Sequence, residues 1–593
     1  MADNNTPCAR MFSFDNVIDD ITGNGIFQIL LVLFVSCISC PNCFTITASV
    51  FIGGMPDSRC RIEPYDNSTI FPNATNDQIT KMFIPINELT KKPDRCLKYL
   101  YNVTCSDTQD PTCLFGNNDT NNVKTMVNCD AEYIFDRSLF QETIVTEWDL
   151  VCDKMTSSFA SSSLFYLGVL FASLYGGFVS DRIGRMTVYR ASTILALVVG
   201  VSISFSPNIQ TYTALRLIMA LVYFPCVVSG FVYVIEISPK RWRTLVGMVF
   251  NSIFGLGSMV FSLLAITWRD WRALQLAKTI IGFGPFVLLS WFIPESPRLQ
   301  FAKNKWRQAR RTCEMMAKRN KTVLSDDIWR KTEEHFAESE KKENKEGNSL
   351  KEIFSRPCSR FLIVSNMFVW MVTSLVYYGL LLNAGSLPGN LYFNNMMGGL
   401  MEFLACILGI VIVKRFGFTK CTSSSLYIAS FACLLSTVCI QLGDGNEPFQ
   451  TIGTVLAMVG RFGASMSFGV IYVHTVEMFP TVGRGTALGL SSMAARIGSI
   501  FSPFTVQLQL TIPWLTPTIF GVLAFLAACL AGTFPETKGK QLMMSFHDAE
   551  GNFSKHFHGK FVSRLCFLPT IRRLPKDSPS SKKLMKDEES SQS

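Results

Sequence analysis

The chain has 593 residues, 48% of them hydrophobic and 17% charged, with a formal net charge of +10 at pH 7. Soluble proteins of this size carry about a quarter charged residues, and here the apolar residues gather in blocks of ~20, the length of one membrane-spanning helix. A soluble globular protein is excluded, and the excess of Lys and Arg reads as membrane topology, with no nucleic-acid partner.

Asp15, Asp19 and Asp20 stand where a cleaved signal peptide would carry bases, and the block that follows is too long for its apolar core. Residues 1–25 are therefore expected as a cytoplasmic N-terminus and 26–52 as a retained first spanning helix. The polar stretch 53–154 holds four glycosylation sequons, at Asn67, Asn73, Asn102 and Asn118, and six cysteines, Cys60, Cys96, Cys105, Cys113, Cys129 and Cys152. Sequons beside an even cysteine set fit an oxidised extracellular loop with three disulfides, in any of fifteen pairings. Residues 155–293 hold blocks two to six, near 156–179, 187–206, 211–235, 244–267 and 272–293. The charged segment 294–360 reads as a cytoplasmic linker of short amphipathic helices. Residues 361–534 hold blocks seven to twelve, near 361–383, 391–413, 421–441, 451–476, 485–507 and 514–534, and 535–593 form a polar cytoplasmic tail.

Orientation follows from the bases. Arg182, Arg185 and Arg190 follow the second block, Lys240, Arg241 and Arg243 the fourth, and Lys414, Arg415 and Lys420 the eighth. All fall on one side if both termini are cytoplasmic, and only Arg269 and Arg272 dissent. The sequons at Asn4, Asn320 and Asn552 should then be unused.

A repeat divides the chain. The pattern E-x-x-P-x-x-x-R occurs at Glu236/Pro239/Arg243 and again at Glu477/Pro480/Arg484, 241 residues apart. Pro294-Glu295 and Pro535-Glu536 repeat at the same interval. A duplicated six-helix half is how many transporters are built. The Glu and Arg of each copy lie at helix ends and are expected to act as salt-bridge latches during alternating access. Gly177-x-x-x-Asp181-Arg182-x-Gly184-Arg185, on the tight turn between helices two and three, resembles a gating motif of the major facilitator superfamily. Its counterpart Lys414-Arg415-x-Gly417 lacks the acid.

Several stretches carry a closer resemblance: P-D-R-C (93–96), T-I-V-T-E-W-D-L-V-C (143–152), P-E-S-P-R (294–298), V-Y-Y-G-L-L-L-N (376–383), G-N-L-Y (389–392), E-M-F-P-T-V-G-R (477–484) and F-P-E-T-K-G (534–539). Together they resemble solute carrier family 22, the organic cation, organic anion and carnitine transporters, over residues 12 to 545. The resemblance implies an all-α membrane protein with the major facilitator bundle: twelve transmembrane helices in two pseudo-symmetric six-helix halves around a central cavity.

Two ionisable residues lie deep. Arg496 is twelve residues past Arg484, about 18 Å along a helix, and Glu402 is twelve residues before Lys414. A charge at that depth needs a partner or a polar cavity. Either the two pair with each other, or Arg496 receives a carboxylate and Glu402 a cationic group. The position of Arg496 is Asp in the family's cation branch and Arg in its anion and carnitine branches. The anion branch has a Lys where this chain has Cys406. The combination is most similar to the carnitine branch. Trp370 and Tyr377, seven apart on one helix face, match cavity aromatics of the family, and Tyr378 is adjacent. Aromatic faces suit quaternary ammonium groups. Tyr223, Phe254 and Phe468 are further candidates, with Asn42 near the outer end of helix one.

No phosphate-binding loop, metal-ligand spacing or nucleophile motif is present, so neither an enzyme nor a cofactor is expected. The expected protein is a plasma-membrane transporter of small organic zwitterions or cations: carnitine first, or a betaine or quaternary ammonium compound. Na⁺ or H⁺ is a possible coupling ion. The alternatives are an organic anion transporter and a non-transporting receptor with a transporter fold.

Overall fold

The computed structural model describes residues 14–22, 25–63, 66, 76–87, 93–101, 124–129, 132–343, 349–442, 447–480 and 483–538. Twelve long helical segments account for most of them: α1 (Ile26–Ile52), α2 (Met155–Ile183), α3 (Arg185–Ile203), α4 (Ile209–Glu236), α5 (Arg243–Thr267), α6 (Trp271–Leu289), α7 (Pro357–Leu382), α8 (Leu391–Phe416), α9 (Phe418–Leu442), α10 (Glu447–Met478), α11 (Arg484–Thr511) and α12 (Leu515–Ala531). The segments α1 to α10 are long and apolar enough to cross a membrane. The other two fall short for separate reasons. α12 has only 17 residues, and α11 carries Ser491, Ser492, Arg496, Ser499, Ser502, Gln507 and Gln509 on an otherwise apolar rod. Large apolar side chains such as Phe171, Leu174 and Phe178 of α2 point outward, as a hydrocarbon solvent allows.

α1 is broken at Cys37 and Ile38 into Ile26–Ser36 and Ser39–Ile52. Pro41 has no N–H to give to the Cys37 carbonyl; the Cys40 N–H takes it instead, at 2.9 Å. The break places Asn42 ten residues from the end of α1, near mid-helix and not near its outer end.

The contacts between helices follow the repeat. α2 packs on α4 and α8 on α10 within the halves. Between the halves α5 packs along α8 and α11 along α2, two contacts exchanged by the pseudo-twofold relation. At the first, Gly255 and Gly399 meet backbone to backbone. A Cβ on Gly255 would lie 2.7 Å from the Gly399 carbonyl oxygen.

The repeated Pro-Glu pairs are helix caps. Gly184, at φ 142°, and Gly417, at φ 93°, reverse the chain before α3 and α9 with backbone angles that suit glycine. The Glu295 carboxylate accepts the Met186 N–H at 3.1 Å, and Glu536 accepts those of Phe418 and Thr419 at 3.0 and 3.2 Å. Each acid satisfies orphan donors at a helix N-terminus.

The E-x-x-P-x-x-x-R residues are not paired with each other. Glu236 accepts from Arg185 at 3.0 Å and from the Ser296 hydroxyl at 2.5 Å, and Arg185 also pairs with Asp181. Arg182 instead gives its carbonyl to Lys303. Glu477 accepts from the Thr537 hydroxyl at 3.1 Å, and Arg484 makes no ion pair among the described residues. Arg243 binds Asp15 of the helix Phe14–Thr22, as does Arg298 at 2.9 Å. This short helix therefore fastens the base of α5 to the linker, whose helices are Pro297–Ala302, Trp306–Asn320, Asp326–Glu343 and Ser349–Ser355. Asn320 is buried there, donating to the Ile21 carbonyl at 3.0 Å, so its sequon is sterically closed.

In the loop after α1, β1 (Ser58–Cys60) pairs antiparallel with β4 (Tyr133–Phe135), and β2 (Leu97–Tyr101) with β3 (Lys124–Asn128). Disulfides join Cys60 to Cys129 and Cys96 to Cys152, the latter tying the loop to the start of α2. Cys105, Cys113 and the sequons at Asn67, Asn73, Asn102 and Asn118 lie outside the described residues.

Burial alone would push the Asp15 carboxyl up, but the Arg243 hydrogen bond and the charges of Arg298, Arg243 and Lys240 outweigh it and hold the group below its ordinary value. A lowered carboxyl pKa stabilises the fold above the unfolded-state value, and the contribution fades as the carboxylate is protonated. Asp15→Asn should therefore lower the thermal unfolding midpoint of the purified protein at neutral pH. The gap from wild type should narrow below about pH 4.

Candidate functional site

Five helices, α4, α7, α8, α10 and α11, meet around the two deep charges. Glu402 on α8 and Arg496 on α11 are both buried, but they do not pair with each other. The Tyr377 hydroxyl donates to one Glu402 oxygen, and Arg461 on α10 donates to the other at 3.3 Å. Arg461 is the residue that sequence reading missed. Its signal was present: a base ten residues inside the apolar block 451–476, about 15 Å deep. Gly398, one turn before Glu402, makes room for it, since a Cβ there would lie 2.1 Å from Arg461 Nη1. Nε and Nη1 of Arg461 have no partner among the described residues.

Arg496 is held differently. Its Nη1 donates to the Tyr378 hydroxyl at 3.5 Å, and its guanidinium carbon lies 4.8 Å from the centre of the Phe224 ring. No carboxylate faces it among the described residues, and its Nε is unpaired. The neighbouring Tyr377 and Tyr378 of α7 thus hold the acid and the base respectively, with their own rings 5.0 Å apart.

The aromatic candidates divide into two groups. Phe468 stacks on Tyr377 at 5.2 Å and 12°, and Phe254 approaches the same ring at 6.5 Å. Trp370 is further along α7. Its N–H donates to the Thr475 hydroxyl at 2.9 Å, which it shares with Asn366, and its ring packs against Tyr472 and Phe468. Trp370 therefore closes the floor of the aromatic cluster. Tyr223 donates to Asn42 at 3.2 Å and stacks on Phe165. The ring that the Arg496 guanidinium lies over is that of the next residue, Phe224, because one residue turns ~100° around a helix.

A cavity of about 2020 Å³ lies on the side that bears the disulfide-linked loop, between the loop and the helix ends, and is bordered by Arg216, Leu380, Asn383 and Phe520 among others. Neither Glu402 nor Arg496 borders it. Toward the linker, Met248 of α5 packs among Ala405, Val413, Phe418, Met466 and Val470 of the other half. Glu402 and Arg496 are thus set apart from that cavity. Among the described residues no cluster of His, Cys, Asp and Glu could hold a metal ion.

Twelve helices in two exchanged halves, with opposite charges buried where the halves meet, define a major facilitator transporter. The sugar (and other) transporter family model matches residues 118–545. The inward-open xylose transporter XylE from E. coli superposes with a TM-score of 0.54 at 16% identity, over 68% of this chain and 91% of that one. The organic cation transporter protein of Drosophila melanogaster is 31% identical, covering 91% of this chain and 95% of its own length. Solute carrier family 22 member 21 of Mus musculus is 30% identical, over 90% and 92%. Human organic cation/carnitine transporter 2 is 29% identical, over 90% and 93%. The chain belongs to solute carrier family 22; it is a transporter of that family and not an enzyme.

Removing one member of a buried ion pair strands the other, whereas removing both does not. Glu402→Gln and Arg461→Met should each lower the thermal midpoint, and the double variant should recover part of the loss. Unfolding of the four proteins in one detergent measures the coupling.

Proposed function

We propose that this transporter carries small organic zwitterions, carnitine-like compounds first, across the plasma membrane by alternating access. The supporting observation is the pair of adjacent tyrosines, Tyr377 on Glu402 and Tyr378 on Arg496. Arg496 has an open donor and no acidic partner among the described residues, so a substrate carboxylate supplies the charge it lacks. The substrate's ammonium group then sits against Tyr377, Tyr378 and Phe468, with Glu402 behind them. Trp370, Phe254, Tyr223 and Asn42 shape the cavity around these groups. Both termini lie in the cytoplasm, the sequon-bearing loop is extracellular, and the 2020 Å³ cavity is the outer vestibule. The halves rock about the α5–α8 and α2–α11 contacts, while the helix-end groups Asp181, Arg182, Arg185, Glu236, Arg243, Glu477 and Arg484 hold the cytoplasmic ends. A Na⁺ or H⁺ gradient can be coupled through Glu402.

One observation favours a second reading. Arg461 already neutralises Glu402, so two guanidinium groups face one carboxylate, a balance that also suits an organic anion.

Uptake of radiolabelled carnitine, tetraethylammonium and para-aminohippurate separates the readings, in cells expressing the wild type, Glu402→Gln or Arg496→Ala at matched surface levels. Carnitine uptake that falls at least tenfold in both variants supports the zwitterion site. Tetraethylammonium uptake that survives Arg496→Ala would refute it. Para-aminohippurate uptake that needs Arg496 but not Glu402 would establish the anion carrier.

A further inference from the structure

A second pair of buried charges lies in the first half, away from Glu402 and Arg496. Arg216 on α4 and Lys278 on α6 each stand seven residues in from the loop-side end of their helix, about 10 Å deep. They are only 7% and 5% exposed. Arg216 donates to the hydroxyls of Ser49 at 2.9 Å and Ser162 at 3.5 Å, and lies 5.0 Å from the centre of the Phe165 ring. Among the described residues, Lys278 has no hydrogen-bond partner and neither cation has an acidic one. Glu147, the acid bound at the start of α6, is engaged by Arg272 and the Trp271 N–H.

Both cations border one internal cavity of about 10 Å³, walled also by Thr45, Tyr212 and Gln275. That is room for a single water-sized body. Two protonated groups inside a membrane bundle are costly; Lys278 escapes that cost either by giving up its proton or by holding an anion against Arg216. A carboxylate or phosphate does not fit the volume, and a monatomic anion, somewhat wider than water, fits once the flexible Arg216 and Lys278 side chains draw back from it. Arg216 borders the vestibule as well, so an anion entering from the loop side meets it first.

We propose that Arg216 and Lys278 bind one chloride ion, which neutralises this end of the first half and ties α1, α4 and α6 together. The site is independent of the substrate reading, because it uses none of the same residues.

The test uses the purified full-length protein in detergent, with gluconate replaced by chloride at constant ionic strength. A saturable rise in the thermal midpoint of ~2–4 °C is expected, reproduced by bromide and not by sulfate. Lys278→Met should flatten the titration, and Lys278→Arg should keep it. Should Lys278→Met not fold, binding of radioactive chloride to the wild type decides: about one ion per chain, displaced by bromide, supports the site, and no saturable binding refutes it. A flat titration in the wild type, an equal response to sulfate, or an undiminished response in Lys278→Met would each overturn the proposal.

Discussion

A carboxylate at the middle of a membrane persists only if other groups do the work of water, and around Glu402 that demand organises the centre of the molecule. Tyr377 approaches from α7 and Arg461 from α10, and Gly398 is bare so that the guanidinium can reach. Ordering these groups fixes the spacing of three helices in the second half. The same α7 turn then delivers Tyr378 to Arg496 on α11. Breaking the Glu402–Arg461 pair would therefore disturb the geometry around Arg496, two helices away.

The two ends of the bundle follow a different logic. Duplication gave each half a Glu that caps a helix start after a glycine turn, Glu295 for α3 and Glu536 for α9. The halves then diverged in their ion pairs. Arg185 joins Asp181 to Glu236 in the first, whereas the second has Phe418 stacked on His474 near Glu477. Asp15 adds a further link from outside the bundle to the first half. The linker-side end of the first half is thus held by ion pairs, and that of the second by apolar packing and by hydrogen bonds to Glu536 and Glu477.

Much of this was legible in the chain. Apolar block length marks all twelve helices, α11 among them although its serines and Arg496 make it more polar than the rest, and the 241-residue repeat agrees with six per half. The depth of Glu402 and Arg496 follows from counting residues at 1.5 Å each. What sequence spacing does not carry is the choice of partner. Glu236 and Arg243 sit seven apart and look like a pair, yet tertiary packing hands one to Arg185 and the other to Asp15. Arg461 went unremarked because a single base in an apolar block gives no sign of whom it faces. Tyr223 and Phe224 differ by one step around α4, and only the folded arrangement shows that Phe224 meets the guanidinium.

The central claim is that Arg496 reads a carboxylate on a zwitterion, and it is tested most directly by altering both partners at once. Radiolabelled carnitine would be competed with unlabelled carnitine and with its methyl ester, which keeps the ammonium group and loses the anionic charge. Wild type and Arg496→Ala would be compared. The account predicts at least a tenfold preference for carnitine over the ester in the wild type, nearly abolished in the variant. The same preference in both proteins would show that the carboxylate is recognised elsewhere and that Arg496 serves only the fold.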